Sequence, residues 1–167
     1  MTPEFSRRIS LAGLPPSGRE ERLAATPAEC AALARRFRIP AVNRLAAVLR
    51  LRSEAGGVVR VEGRLSAEVV QDCVVSLEPV TQAVEEEVTL RILPPGAPFS
   101  DDPEAPDEIE SEGEAADLGE ALAEQLALAL DPYPRAPGAG LEAPGAAAEA
   151  DPPRGPFAGL AALRGRG

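Results

Sequence analysis

Cys30 and Cys73 are the only two thiols in this chain, which also lacks histidine and lysine. Without histidine the commonest general base and the commonest metal ligand are missing. A Ser-His-Asp or Cys-His pair cannot be assembled. Without lysine a phosphate-cradling G-x-x-x-x-G-K-[ST] loop cannot be completed, and Gly56-Gly57 lie too close together for a dinucleotide fingerprint. Two isolated cysteines do not make a structural zinc site. Cys73, within an apolar stretch, and Cys30, in a helical one, read as small buried hydrophobes. Glu85, Glu86 and Glu87 read as a solvated strand edge, because consecutive strand residues point to opposite faces. The block 101–117 holds nine acids and no base, without the spaced Asp/Asn/Gly pattern of a calcium loop. No enzyme, metal or cofactor is expected, and no small-molecule substrate.

What remains is the chemistry of arginine, whose planar fork of donors suits phosphate. Arg44, Arg50, Arg52, Arg60 and Arg64 all occupy even positions of two alternating stretches. These five are the candidate site for an anionic partner. The aromatics Phe5, Phe37, Phe99, Phe157 and Tyr133 are too few for reading single-stranded bases by stacking.

The elements that must position these arginines follow from periodicity. In 44–53 the odd residues Leu45, Ala47, Leu49 and Leu51 are apolar, and in 58–70 so are Val59, Val61 and Leu65. Both stretches predict half-buried strands. Glu54-Ala55-Gly56-Gly57 supplies glycine where a hairpin loop needs positive φ. Two registers keep even residues opposite even ones. One sets Arg52 against Arg60 and Arg50 against Glu62. The other sets Arg52 against Glu62, Glu54 against Arg60 and Arg50 against Arg64. Each leaves an Arg–Arg pair directly opposed.

Residues 4–14 predict a first strand with Phe5, Ile9 and Leu11 on one side, ended by Pro15-Pro16-Ser17-Gly18, and 19–25 its hairpin partner. Thr26-Pro27-Ala28-Glu29 has the form of a capping box, with a helix over 27–37 ended at Ile39-Pro40. Strands are expected over 69–77, through Cys73, and over 81–93, where Val84, Val88 and Leu90 favour the even face. Residues 94–116 read as an acidic mobile loop. Asp117 caps a helix over 118–130 whose face is marked by Leu118, Leu122, Gln125, Leu126, Ala129 and Leu130. Pro132 and Pro134 end it. The expected architecture is α+β: an antiparallel sheet or partly open barrel of five to seven strands with two main helices. Residues 1–134 form a single domain, and 135–167 a Pro/Gly/Ala-rich tail with a short apolar patch over 156–163.

Composition fits one small domain. Hydrophobic residues are 44% and aromatics 3%, so the core must be Leu, Val, Ile and Ala. The net charge of −10 is uneven. Residues 1–70 hold 12 Arg against 7 acids, and residues 71–167 hold 5 Arg against 20 acids. A partner meets a surface and not an average. The first ten residues lack an apolar signal core, and no run is long enough to span a bilayer. The expectation is a cytoplasmic protein with reduced thiols and no membrane partner.

Three segments resemble the YceD family, whose proteins are linked to accumulation of large-subunit ribosomal RNA. Gln71-Asp72-Cys73-Val74-Val75-Ser76-Leu77-Glu78-Pro79-Val80 is similar to its central segment, often C-x-R-C-L-x-P. Asp117-Leu118-Gly119-Glu120 and then Glu124-Gln125-Leu126-Ala127-Leu128-Ala129-Leu130-Asp131-Pro132-Tyr133-Pro134 resemble its helix and L-x-L-x-x-P-x-P ending. Pro156-Phe157-Ala158-Gly159-Leu160-Ala161-Ala162-Leu163 is similar to its closing N-P-F-A-x-L-x-x-L. Ser76 stands where the second cysteine would be, and Val75 where the arginine would be, so no metal role is carried over. The resemblance implies a bacterial, non-enzymatic ribosome-biogenesis factor acting on 23S ribosomal RNA or an early large-subunit particle. The alternative is an acidic adaptor or chaperone that holds a basic ribosomal protein through the carboxylates of the acidic block.

Overall fold

A computed structural model of the chain describes residues 3–140. The apolar patch over 156–163 lies outside the described residues. Seven strands and two helices follow one another as β1 (Arg8–Ser10), β2 (Arg19–Ala24), α1 (Pro27–Phe37), β3 (Ala41–Ser53), β4 (Val59–Asp72), β5 (Pro79–Leu93), β6 (Asp107–Glu110), β7 (Ala115–Asp117) and α2 (Leu118–Ala129). The main sheet has the order β2-β3-β4-β5-β6, antiparallel except where β6 runs parallel to β5. It is open, with β2 and β6 as its edges, and β1 and β7 form a separate two-stranded sheet. The architecture is the expected α+β one, without barrel closure.

The predicted alternation places the core. Leu45, Ala47, Leu49 and Leu51 of β3, Val59, Val61 and Leu65 of β4, and Val84, Val88 and Leu90 of β5 are all buried on one face. Helix α1 covers it at β3 with Cys30 and Leu33, and α2 covers β4 and β5 with Leu118, Leu122 and Leu126. The capping box at Thr26 and Glu29 forms as the sequence requires, and Arg38 ends α1 in the left-handed conformation. Asp117 caps α2, accepting from the backbone N–H of Gly119 and Glu120, and also from that of Arg7.

Three expectations are corrected. β2 does not pair with the first strand. It joins β3, while the short β1 joins β7. Alternation identifies a strand's inner face but carries no information on its neighbour. The stretch 69–77 is not one strand, since β4 ends at Asp72 and Cys73 opens a turn. Its valines look like strand residues, yet the Val74 N–H is taken by the Pro134 carbonyl at 2.9 Å and the ladder stops. The block 94–116 is not loop throughout, since it contains β6 and most of β7. Ile109 packs against the core beside Ile92, and Arg91 neutralises Glu108 at 2.9 Å, leaving the Glu108 side chain only 7% exposed.

Arg7 binds the N-terminal segment to α1. Its guanidinium donates to both carboxylate oxygens of Glu29 at 2.7 and 2.8 Å, and to the carbonyls of Ser6 and Ala24. It also lies 4.6 Å over the buried Phe5 ring. The hydrogen bond from Arg7 holds Glu29 down to about 2 against its burial, helped by the Thr26 backbone and hydroxyl. Because the folded value is depressed, this stabilisation is complete above the ordinary value of 4.5 and fades as pH falls towards 2. Arg7→Leu is expected to cost about 2 kcal/mol at neutral pH, from the loss of bidentate charged hydrogen bonds. Urea midpoints of wild type and Glu29→Gln, measured from pH 6 to pH 2, should converge towards the acid end. A constant gap would exclude this ion pair as the source.

Candidate functional site: the arginine-bearing sheet face

With both helices on one face, no described helix or strand covers the other face of the main sheet. The β3–β4 register is the first of the two alternatives: Arg50 faces Glu62, Arg52 faces Arg60, and Arg44 faces Glu68. Arg64 faces Val48 on one side and Glu87 on the other. Cross-strand rows extend this pattern. One runs Glu20, Arg50, Glu62 and Thr89. The next runs Arg52, Arg60 and Arg91 and is closed by Glu108 of β6. At the spacing of neighbouring strands, this line of three guanidinium-bearing residues spans about 10 Å.

The five predicted arginines therefore do not form one cluster. Arg50, Arg52, Arg60 and Arg64 gather near the β3–β4 hairpin, since Arg60 and Arg64 flank Glu62 and are each a diagonal neighbour of Arg50 at about 7–8 Å. They are joined by Arg91, which sequence reasoning missed. Arg44 lies six residues back along β3 from Arg50, about 20 Å away at strand rise. Arg91 was legible as a polar-face residue of β5, opposite to Val88, Leu90 and Ile92. Only the β4–β5 register brings it beside Arg60, and the irregular turn after Asp72 hides that register from periodicity.

Carboxylates temper the corner. Arg60 donates to Glu62 at 2.7 Å, and Glu54 sits 3.6 Å from both Arg60 and Arg91. The hydrogen bond to Glu62 above all, then its charge, raises the Arg60 pKa above its ordinary value. Arg64 has only a 4.0 Å contact to Glu87 and is 66% exposed. Among the described residues, Arg44, Arg50 and Arg52 have no carboxylate within ion-pair distance. Arg50 is oriented by a 2.7 Å bond to the Ser17 carbonyl. The adjacent exposed pair Arg50 and Arg52, beside a buffered pair Arg60 and Arg91, is the strongest feature for an anion.

At the opposite end of the sheet, two separately noticed sequence segments meet. The Cys73 turn is overlaid by the strap that follows α2. Gln71 donates to the Asp131 carbonyl at 2.9 Å, and Val74 N–H to that of Pro134 at 2.9 Å. Gln71 Oε1 is buried without a hydrogen-bond partner. Cys73 is buried, as expected, but it is more than a hydrophobe. Its Sγ accepts from the N–H of Val75 and Ser76 at 3.4 Å each. The Ser76 hydroxyl first, then the Ala136 and Ser76 N–H groups, draw the thiol down to about 6 against desolvation, with Val75 adding a smaller effect. Burial instead pushes the Cys30 thiol up. For Cys73 the folded value is depressed, so its stabilisation is complete above the ordinary value of 9.0 and is lost as pH falls through about 6. The urea midpoint of wild type relative to Cys73→Ala is expected to grow between pH 6 and pH 9. A difference independent of pH would show that the turn does not favour the thiolate.

Residues 61–164 match the family described as large ribosomal RNA subunit accumulation protein YceD. No curated protein and no solved structure matches the chain. The matched stretch takes in nearly all of β4, then β5, β6, β7, α2 and the Cys73 turn, with Arg64 and Arg91. Arg44, Arg50, Arg52 and Arg60 precede it.

Proposed function

The chain belongs to the YceD family, and on that premise we propose that it is a non-enzymatic ribosome-biogenesis factor that supports accumulation of 23S ribosomal RNA by binding that RNA or an early large-subunit particle. The observation that carries the reading is the exposed Arg50 and Arg52 pair beside Arg60 and Arg91 on a sheet face covered by neither helix. No described aromatic belongs to the strands of this face, and the exposed Phe99 lies beside Glu108 at its edge, so its chemistry favours phosphate contacts over base stacking. No described helix is long and apolar enough to cross a membrane.

The second reading, an adaptor for a basic ribosomal protein through the acidic block, meets an obstacle. Several of those acids are already engaged within the chain. Glu108 pairs with Arg91, Glu112 with Arg8, Asp107 accepts from Gln125, and Glu110 from the Gly96 N–H. The experiment is recovery of the tagged full-length chain from bacterial lysate, with and without nuclease. The RNA reading expects large-subunit ribosomal RNA to co-purify and to be lost at raised salt. One basic protein that stays bound after nuclease would replace it with the adaptor reading.

A further inference from the structure

We propose that the knot formed by the Cys73 turn and the strap over 131–136 docks a protein partner, specifically a segment in which an apolar side chain is flanked by Arg or Lys. This goes beyond the ribosomal-RNA reading and does not depend on it. Six large hydrophobic side chains are conspicuously exposed among the described residues, and three of them, Val74 at 48%, Leu77 at 76% and Tyr133 at 71%, belong to this knot. The bond from Val74 N–H to the Pro134 carbonyl sets the turn directly against the Tyr133 segment.

The backbone presents these side chains rigidly. Leu77 N–H donates to the Cys73 carbonyl at 2.9 Å, and Cys73 N–H to that of Glu78 at 2.8 Å. Leu77 itself has φ of +61°, a conformation that side chains other than Gly, Asn and Asp adopt rarely. Glycine would fit this turn without strain. A buried leucine would offset the strain through packing, but this one faces solvent. What the leucine adds is therefore what it presents outward, the pattern of strain held at a binding site.

The surroundings select the partner's charge. Asp72, Glu78 and Asp131 are exposed around the knot against a single exposed base among its described residues, Arg135 of the strap, so its net charge is negative. A shallow recess of about 340 Å³ adjoins it, lined by Gln82, Val84, Glu85, Glu86, Ala129 and Asp131 and by no base. Carboxylates around an apolar centre attract a basic peptide and repel a phosphate backbone. Anchoring by a few aromatic and aliphatic side chains within a polar rim is the usual anatomy of a protein interface.

The chain has one tyrosine and no tryptophan, so intrinsic tyrosine emission reports on Tyr133 alone. The full-length protein is titrated with a synthetic peptide alternating Arg and Leu, with its Glu–Leu counterpart, with a peptide of residues 156–163, and with a single-stranded RNA oligonucleotide. The expected result is saturable change with the Arg–Leu peptide and none with the Glu–Leu peptide. Leu77→Gly, which keeps the turn, should weaken binding about tenfold, Val74→Ser should weaken it as well, and Val48→Ser on the open sheet face should not. Equal affinity in Leu77→Gly and wild type would overturn the proposal. So would a saturable response to the RNA or to the 156–163 peptide in preference to Arg–Leu, or a concentration-dependent dimer abolished by Leu77→Gly. Loss of RNA binding by Arg50 and Arg52 variants, with the peptide response intact, separates this site from the sheet-face reading.

Discussion

Gly63→Ala is expected to destabilise the fold by at least about 3 kcal/mol, the upper end of what overpacking costs. Gly63 sits in the middle of β4, between Leu49 of β3 and Val88 of β5. A Cβ there would lie 2.0 Å from the Val48 carbonyl oxygen and 2.8 Å from Leu49 Cα. Both are backbone atoms of β3, which is hydrogen-bonded to β2 on one side and β4 on the other. A flexible side chain could move aside, but this ladder cannot yield without losing bonds across the centre of the sheet. Glycine in a strand interior is the expected residue where a second backbone approaches so closely. The melting temperature, read by circular dichroism, should fall by roughly 10 °C or more in a domain of this size. A fall of under about 3 °C would mean that β3 and β4 are not packed in this way. Gly119→Ala should be milder. Its added Cβ would meet Arg7 N at 2.6 Å and Phe5 O at 2.8 Å, but the N-terminal segment is freer to shift than a central strand.

The contrast between these sites shows how far the sequence could be read. The inner faces of β3, β4 and β5 were legible because hydrophobic burial imposes a two-residue period, and both helices because Thr26, Glu29 and Asp117 are placed where orphan N–H groups need acceptors. The even-face placement of Arg50, Arg52 and Arg60 followed from the same period. Strand partners did not follow, since they depend on contacts between distant segments. Hence the sequence predicts the wrong partner for β2, β6 lies hidden in the acidic stretch 101–117, where Ile109 is the only bulky apolar residue, and Arg91 falls outside the predicted site. The Cys73 turn was misread because Val74 and Val75 carry strand propensity, whereas their N–H groups are taken by Pro134 and by the Cys73 sulfur.

Arg50→Gln with Arg52→Gln is expected to weaken binding of large-subunit ribosomal RNA about tenfold or more near physiological salt. Each arginine that neutralises a phosphate releases condensed counterions, so removing two should flatten the slope of log affinity against log salt by about 1.4 to 1.8. The fold should persist, since neither side chain is buried and neither has an acidic partner to strand. Glu54→Gln should act in the opposite direction. It removes the carboxylate 3.6 Å from both Arg60 and Arg91 and leaves more of their charge for a phosphate. Arg35→Gln with Arg38→Gln is the matched control. Both arginines are exposed at the end of α1, in the layer behind the sheet, and have no ion pair among the described residues. Arg7 is unsuitable for that purpose because its loss would disturb the N-terminal packing.

The most direct measurement is a salt titration of the full-length protein binding a 23S ribosomal RNA transcript, run side by side for wild type, Arg50→Gln with Arg52→Gln, Arg35→Gln with Arg38→Gln, and Glu54→Gln. The open sheet face predicts a weaker and less salt-dependent complex for the first double variant alone, a near wild-type complex for the control, and a tighter one for Glu54→Gln. Affinities and slopes that are the same for all four proteins would contradict it.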